Sequence, residues 1–300
     1  MATRALVLGG GGPVGIAWEA GLAAGLAEAG IDLAAADFIV GTSAGSVVGA
    51  QLAMGRSAES LAAAQMREAP LPAAAEGAGV GPPPDLTGLM AMMIKAATFE
   101  GPPEEMRAEL GAYALAAKTV PEEAFIAGFG RMDGLGADAW PGHRYTCTAV
   151  DALDGRFVTW NAESGVPLGR AVASSCSVPG IFPPITINGR RYIDGGMRTA
   201  TNADLAAGYE RVVVVSVTGN ATVPAGSPQA AMLERTRKRF DEEIAAIRDK
   251  GGEAVVIRPD DGALEAFGVN LMDASRRPAV TREGIRQGKA EAVRLAEMWR

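Results

Sequence analysis

The residues best suited to chemistry sit in three glycine-rich strings. Gly41-Thr42-Ser43-Ala44-Gly45 has the G-x-S-x-G form of a serine presented on a sharp turn between a strand and a helix. Its outer glycines permit the turn and lift the hydroxyl clear of the sheet. The N–H of Ala44 and the dipole of the following helix then favour negative charge beside it. The other reading of Ser43 is a helix N-cap, a task open to Ser46 as well. A serine hydroxyl needs a base, and the usual one is histidine. The chain has a single histidine, His143, in Trp140-Pro141-Gly142-His143-Arg144, just ahead of a predicted strand and away from any loop assignable to the serine. It reads as structural. Asp194, in the glycine turn Ile193-Asp194-Gly195-Gly196 at a strand end, is the candidate base. An aspartate of ordinary pKa, about 3.9, is a poor base in water, and burial beside the serine raises it.

The third string, Gly9-Gly10-Gly11-Gly12, has three readings. Gly10-x-Gly12-x-x-Gly15 between a strand and a helix satisfies the dinucleotide fingerprint of an oxidoreductase. Such a site asks for an acid at the end of the second strand. Here that strand ends Ile39-Val40-Gly41, and Asp32 and Asp37 precede it. The second reading is an oxyanion hole, in which consecutive N–H groups, unobstructed by side chains, converge on negative charge. The third is a steric turn without a ligand.

The elements that carry these strings read as α/β. Residues 5–8 form a short apolar run that suits a strand buried on both faces, and 14–29 carry apolar residues at helical spacing. A strand at 38–40 and a helix at 46–54 repeat the pattern. Residues 70–84 are a Pro/Gly linker, followed by predicted helices at 86–97 and 103–118 that look like an insertion over the sheet. Strands at 145–150 and 156–160 form a predicted hairpin around Asp154-Gly155, and those at 185–187 and 191–193 flank Asn188-Gly189. Strand 212–217, helix 228–250 and strand 254–257 form a βαβ crossover, which implies a parallel sheet. A helix over 279–299 closes the chain. The expectation is one α/β domain over 1–300, with a mostly parallel central sheet and a helical, lid-like insertion at about 70–140.

The three strings occur in the order glycine loop, serine turn, Asp194-Gly195-Gly196. A fourth block, Ala173-Ser174-Ser175-Cys176-Ser177-Val178-Pro179-Gly180-Ile181-Phe182-Pro183-Pro184, precedes the last of them. Together they resemble the patatin-like phospholipase family over roughly residues 5–210, with Asn202 matching a polar position that follows the aspartate turn. The resemblance implies a three-layer fold with helices on both faces of the sheet. It also implies a lipid acyl hydrolase acting on carboxylic esters of phospholipids, lysophospholipids or acylglycerols. Ser43 would be the nucleophile, Asp194 the general base, and the N–H groups of Gly10, Gly11, Gly12 and Ala44 the oxyanion hole, with neither metal nor organic cofactor. The family commonly carries Arg or Lys before the last glycine of its loop, where this chain has Val14. That loss implies a preference for neutral or lysolipid esters, unless Arg190, Arg191 or Arg198 compensates. The dinucleotide oxidoreductase and a non-catalytic lipid-binding protein are the alternatives.

Composition excludes other classes. With 300 residues the chain can build a full core without staples, and a formal net charge of −7 speaks against a nucleic-acid partner. Cys147, Cys176 and His143 have no zinc-ligand spacing, so the cysteines read as buried thiols. No stretch approaches the ~18 apolar residues of a membrane span. A cytoplasmic protein in transient contact with a membrane surface is expected; the sequence is silent on oligomeric state. The Met-rich run 86–94 suits either a lid over an acyl channel or an ordinary core helix. Residues 235–239, Arg-Thr-Arg-Lys-Arg, are offset by Glu234, Asp241, Glu242 and Glu243 and read as a solvated helix face rather than a lipid contact.

Overall fold

The computed structural model describes residues 3–67, 86–130, 135, 140–218 and 227–299. The predicted linker at 70–84 lies outside the described residues. Among the described residues, eight strands form one sheet: β1 (Arg4–Leu8), β2 (Phe38–Gly41), β3 (Tyr145–Asp151), β4 (Phe157–Trp160), β5 (Ile185–Ile187), β6 (Arg190–Asp194), β7 (Arg211–Val215) and β8 (Glu253–Ile257). Their order is β5-β6-β3-β2-β1-β7-β8, with β4 paired to β3. Strands β3, β2, β1, β7 and β8 run parallel, while β4, β5 and β6 add antiparallel pairs at the β3 side. Asn188 and Gly189 both take positive φ, as the two-residue turn between β5 and β6 requires.

The helices are α1 (Gly12–Glu28), α2 (Ala44–Ala53), α3 (Ala58–Met66), α4 (Thr87–Thr98), α5 (Pro103–Ala116), α6 (Glu122–Gly130), α7 (Leu168–Ser175), α8 (Pro228–Asp249), α9 (Asp261–Phe267) and α10 (Arg277–Trp299). Side chains alternate across the pleat, so each strand feeds two cores. Leu6, Leu8, Ile39, Val213 and Val215 pack with α1, α2 and α10 on one face. Ala5, Val7, Val40, Val212 and Val214 pack with Ile244 and Ile247 of α8 on the other. The result is the expected α/β architecture with helices on both faces of a mostly parallel sheet. On the first face α1 and α10 approach almost backbone to backbone: a Cβ added at Gly21 or Gly25 would strike the carbonyl of Thr281 or Ile285.

One open alternative is decided here and one expectation is corrected. The Met-rich helix α4 is not a core helix, because none of its residues is buried. Leu89, Met92 and Ala96 lean on a satellite cluster of Met106, Leu110, Val150 and Ile193 instead. The basic run on α8 is not uniformly solvated either. Arg237 and Lys238 are exposed, whereas Arg235 and Arg239, one helical turn apart, are half-buried.

Candidate active site

Strand register brings the serine and aspartate turns together. Strand β2 runs parallel to β3 and its last pair is Gly41 with Cys147. Strand β6 runs antiparallel to β3 and its last pair is Asp194 with Ala149. Both Cys147 and Ala149 have β4 partners on the other edge. Strands β2 and β6 therefore approach along the same edge of β3 from opposite directions and end on either side of Thr148.

Ser43 sits in a sparsely populated conformation, φ 51° and ψ −116°, at a cost of about 1–3 kcal/mol. Neighbouring bonds hold it there. Its N–H donates to Ser175 Oγ at 3.0 Å, and its carbonyl accepts from Ser46 Oγ at 2.6 Å and from the Cys176 thiol at 3.3 Å. Tight packing fixes the turn as well, since a Cβ at Gly45 would collide with the carbonyl of Leu8 on β1. Ser43 occupies the N-cap position of α2, yet its hydroxyl makes no capping bond. Without a capping bond the N-cap reading falls, and the hydroxyl stands close enough to the Asp194 carboxylate to pull its pKa down.

Asp194 is 2% exposed. Burial pushes its pKa from 3.8 up to about 7, against the pull of the Ser43 hydroxyl and the Gly196 N–H, which donates to Oδ1 at 2.7 Å. Both turns are tied to a buried polar network. Thr42 Oγ1 and Thr148 Oγ1 share a bond of 2.9 Å, and Asn202 Nδ2 reaches Thr42 Oγ1 at 3.1 Å and the Gly195 carbonyl at 3.3 Å. Asn202 is itself fixed in a left-handed conformation, φ 51°, with Oδ1 accepting from Arg198 at 2.9 Å.

The glycine loop lies against the serine turn. A Cβ on Gly10 would stand 3.3 Å from Ser43 Cβ, and the Gly45 N–H donates to the Gly9 carbonyl at 2.9 Å. Gly10 departs from the expected oxyanion set, because its N–H donates to the Ala200 carbonyl at 2.8 Å. The N–H groups of Gly11, Gly12 and Ala44 make no hydrogen bond with the described residues. Gly12 and Ala44 begin α1 and α2, and neither helix has an acid in its first turn. Two positive helix ends thus converge beside Ser43.

The dinucleotide reading fails on the acids. Asp32 accepts from the Ala34 N–H and Asp37 from the Arg4 N–H, both ahead of β2 and at the far end of the sheet from the glycine loop. His143 lies at the N-terminal end of β3, also remote from Ser43; its side chain is 80% exposed, 3.6 Å from the Glu163 carboxylate. Cys147 and Cys176 are buried, and burial pushes the Cys147 thiol up to about 12. Val14 is packed in the core. Arg190 pairs with Asp151 and Asp154, Arg191 donates to the Pro184 carbonyl, and Arg198 pairs with Asp204. Sequence reasoning gave no role to Thr148 or Ser175. For Thr148 the available signal was a polar residue inside a strand that is otherwise largely apolar.

A family model described as patatin-like phospholipase matches residues 93–207. The chain resembles the patatin-like phospholipases. The matched stretch contains Asp194 and Asn202, while the glycine loop and Ser43 precede it. Among solved structures, VipD from Legionella pneumophila is 15% identical with a TM-score of 0.47, the alignment covering 98% of this chain and 67% of VipD. The type III effector protein ExoU is 16% identical with a TM-score of 0.37, covering 96% of this chain and 53% of ExoU. This chain thus spans about half the length of ExoU. No curated protein matches it. Among the described residues, no helix is long and apolar enough to cross a membrane.

Proposed function

We propose that the chain is a lipid acyl hydrolase that cleaves carboxylic esters of phospholipids, lysophospholipids or acylglycerols through a Ser43–Asp194 dyad. The observation that carries this reading is a strained, non-capping serine brought next to a buried aspartate whose pKa is about 7 and is pulled down by the serine hydroxyl. As Ser43 Oγ attacks the ester carbonyl carbon, its proton passes to Asp194. The carbonyl oxygen takes up the negative charge and is met by the N–H groups of Gly11, Gly12 and Ala44. Collapse of the tetrahedral intermediate breaks the ester C–O bond, and the alcohol leaves with the proton held by Asp194. Asp194 then deprotonates a water that attacks the acyl-serine; the bond from the acyl carbon to Ser43 Oγ breaks, Oγ takes the proton back from Asp194, and the carboxylic acid departs. A base poised near neutral pH is well matched to both proton transfers, and each oxyanion donor is worth about 3–4 kcal/mol in the transition state.

In this reading α4 and α5 form the lid-like insertion of a single catalytic unit. Support comes from α4, which is apolar in sequence but has no buried residue, with Met90 41% exposed. Such a helix suits transient contact with a lipid surface.

Labelling with a fluorophosphonate serine probe, alongside turnover of a soluble ester, tests the reading. Wild type and His143→Ala should both label and turn over, Ser43→Ala should do neither, and Asp194→Asn should lose turnover. Full labelling of Ser43→Ala overturns the nucleophile. Loss of turnover in a folded His143→Ala variant replaces the dyad with a triad.

A further inference from the structure

A cavity of about 370 Å³ lies among α4, α5, α8 and the segment 196–201. It sits on the α8 face of the sheet, and neither Ser43 nor Asp194 lines it. Its wall is nevertheless shared with the candidate site: it includes Gly196, whose N–H holds Asp194, and Ala200, whose carbonyl holds Gly10.

The wall is strongly cationic. Arg107, Arg198, Arg235, Arg237, Arg239 and Arg258 line it, against two carboxylates, Asp241 and Glu243. Glu243 is buried, and its Oε2 accepts from the Thr201 hydroxyl and the Ala203 N–H. Arg107 and Arg198 have carboxylate partners in Glu104 and Asp204. Arg235, Arg239 and Arg258 form no ion pair among the described residues. Arg235 donates to the Ala97 and Phe99 carbonyls at the end of α4, Arg239 donates to the Arg198 carbonyl at 3.0 Å, and Arg258 stacks 4.7 Å from the Phe240 ring centre. Arg239 is half-buried; burial first, then the charges of Arg235, Arg107 and Arg198, lower its pKa, and Glu242 opposes them. Guanidinium groups held together with no direct ion pair of their own repel one another, and a bound anion relieves that repulsion.

The remaining wall is apolar and adaptable, with Met93, Met106, Met197 and Met232 beside Phe240. Cationic groups over a methionine floor match a ligand with an anionic head and an apolar stem. We propose that this cavity is a binding site for the phosphate group of an amphiphile, with Arg239 as principal anion ligand and Arg235 and Arg258 beside it. The proposal concerns binding and does not depend on ester chemistry at Ser43.

Isothermal titration of the Ser43→Ala protein tests it, because no ester is consumed and the readout is binding alone. A soluble dihexanoyl phosphatidic acid should bind, and neutral dihexanoylglycerol should bind about tenfold more weakly or worse. Arg239→Gln should weaken the phosphatidic acid by about tenfold or more, the range expected for losing a charge-assisted hydrogen bond. Arg239→Lys should restore part of the loss, and Lys238→Gln, on the exposed face of the same helix, should change nothing. Arg258→Gln supplies the same readout should Arg239→Gln not fold. Displacement of the phosphatidic acid by inorganic phosphate assigns the site to soluble phosphates, whereas binding that inorganic phosphate does not displace assigns it to a lipid headgroup. Equal affinity for the neutral and anionic lipids, or undiminished binding in folded Arg239→Gln and Arg258→Gln proteins, overturns the proposal.

Discussion

Replacing Asp194 with asparagine should destroy activity and at the same time stabilise the protein, increasingly so as pH rises. The carboxyl is buried, and desolvation raises its pKa from 3.8 to about 7. A raised native pKa means that the folded chain holds the proton more tightly than the unfolded chain does. The stability linked to that proton is fully present below the unfolded pKa of about 4 and is lost as pH rises through about 7. At about 1.4 kcal/mol per pKa unit the loss reaches about 4 kcal/mol by pH 8, of which about 2.5 kcal/mol disappears between pH 5 and pH 8. Asparagine has nearly the same shape and does not titrate. Urea denaturation of wild type and Asp194→Asn at the two pH values should therefore show the variant gaining about 2.5 kcal/mol on wild type between them. In the proposed mechanism the same carboxyl governs activity, since the base must be ionised to accept the serine proton. Wild-type kcat/KM on a soluble ester should rise with pH around a midpoint near 7. A midpoint near 4, or a stability difference that does not change with pH, would refute the argument that burial makes this aspartate a base.

Two further substitutions probe the frame. Gly45→Ala drives a methyl group into the Leu8 carbonyl and should lower stability by about 3 kcal/mol, read as a fall in Tm. Asn202→Ala takes a donor from Thr42 Oγ1 and from the Gly195 carbonyl. It should cost about 1–3 kcal/mol in urea denaturation and lower kcat more than it changes KM, because both turns lose a tether while nothing in contact with substrate is removed.

What could be read from sequence was local. The serine and aspartate turns were legible because each is specified by glycines at fixed offsets, and the hairpin at Asn188-Gly189 because that pair accepts positive φ. The fate of the Gly10 N–H was not legible, since its acceptor is the carbonyl of Ala200, far along the chain. Helices α3, α6, α7 and α9 escaped for a related reason: at seven to nine residues they are short, and tertiary packing sustains them more than their own periodicity does. The close packing of α1 on α10 was not legible either, because a helix crossing leaves its trace in two distant segments at once, Gly21 and Gly25 in one and Thr281 and Ile285 in the other. Arg235 and Arg239 were readable in principle, since a separation of four residues puts them on one helix face and leaves Arg237 and Lys238 on another.

The pairing of Ser43 with Asp194 owes its geometry to β3 more than to either turn. Each turn is held by a strand whose last residue is paired with β3, and the two ends flank one residue, Thr148. Slipping either strand by one residue would move its turn along that edge and turn its side chains to the opposite face. Thr148 resists such a slip twice, through its bond to Thr42 and through the close approach of Gly195, where any side chain would meet the Thr148 hydroxyl. The same enclosure raises the Asp194 pKa by keeping water from its carboxylate. In the proposed mechanism one structural device therefore sets both the distance between nucleophile and base and the strength of the base, which is how an aspartate can take the part usually given to histidine.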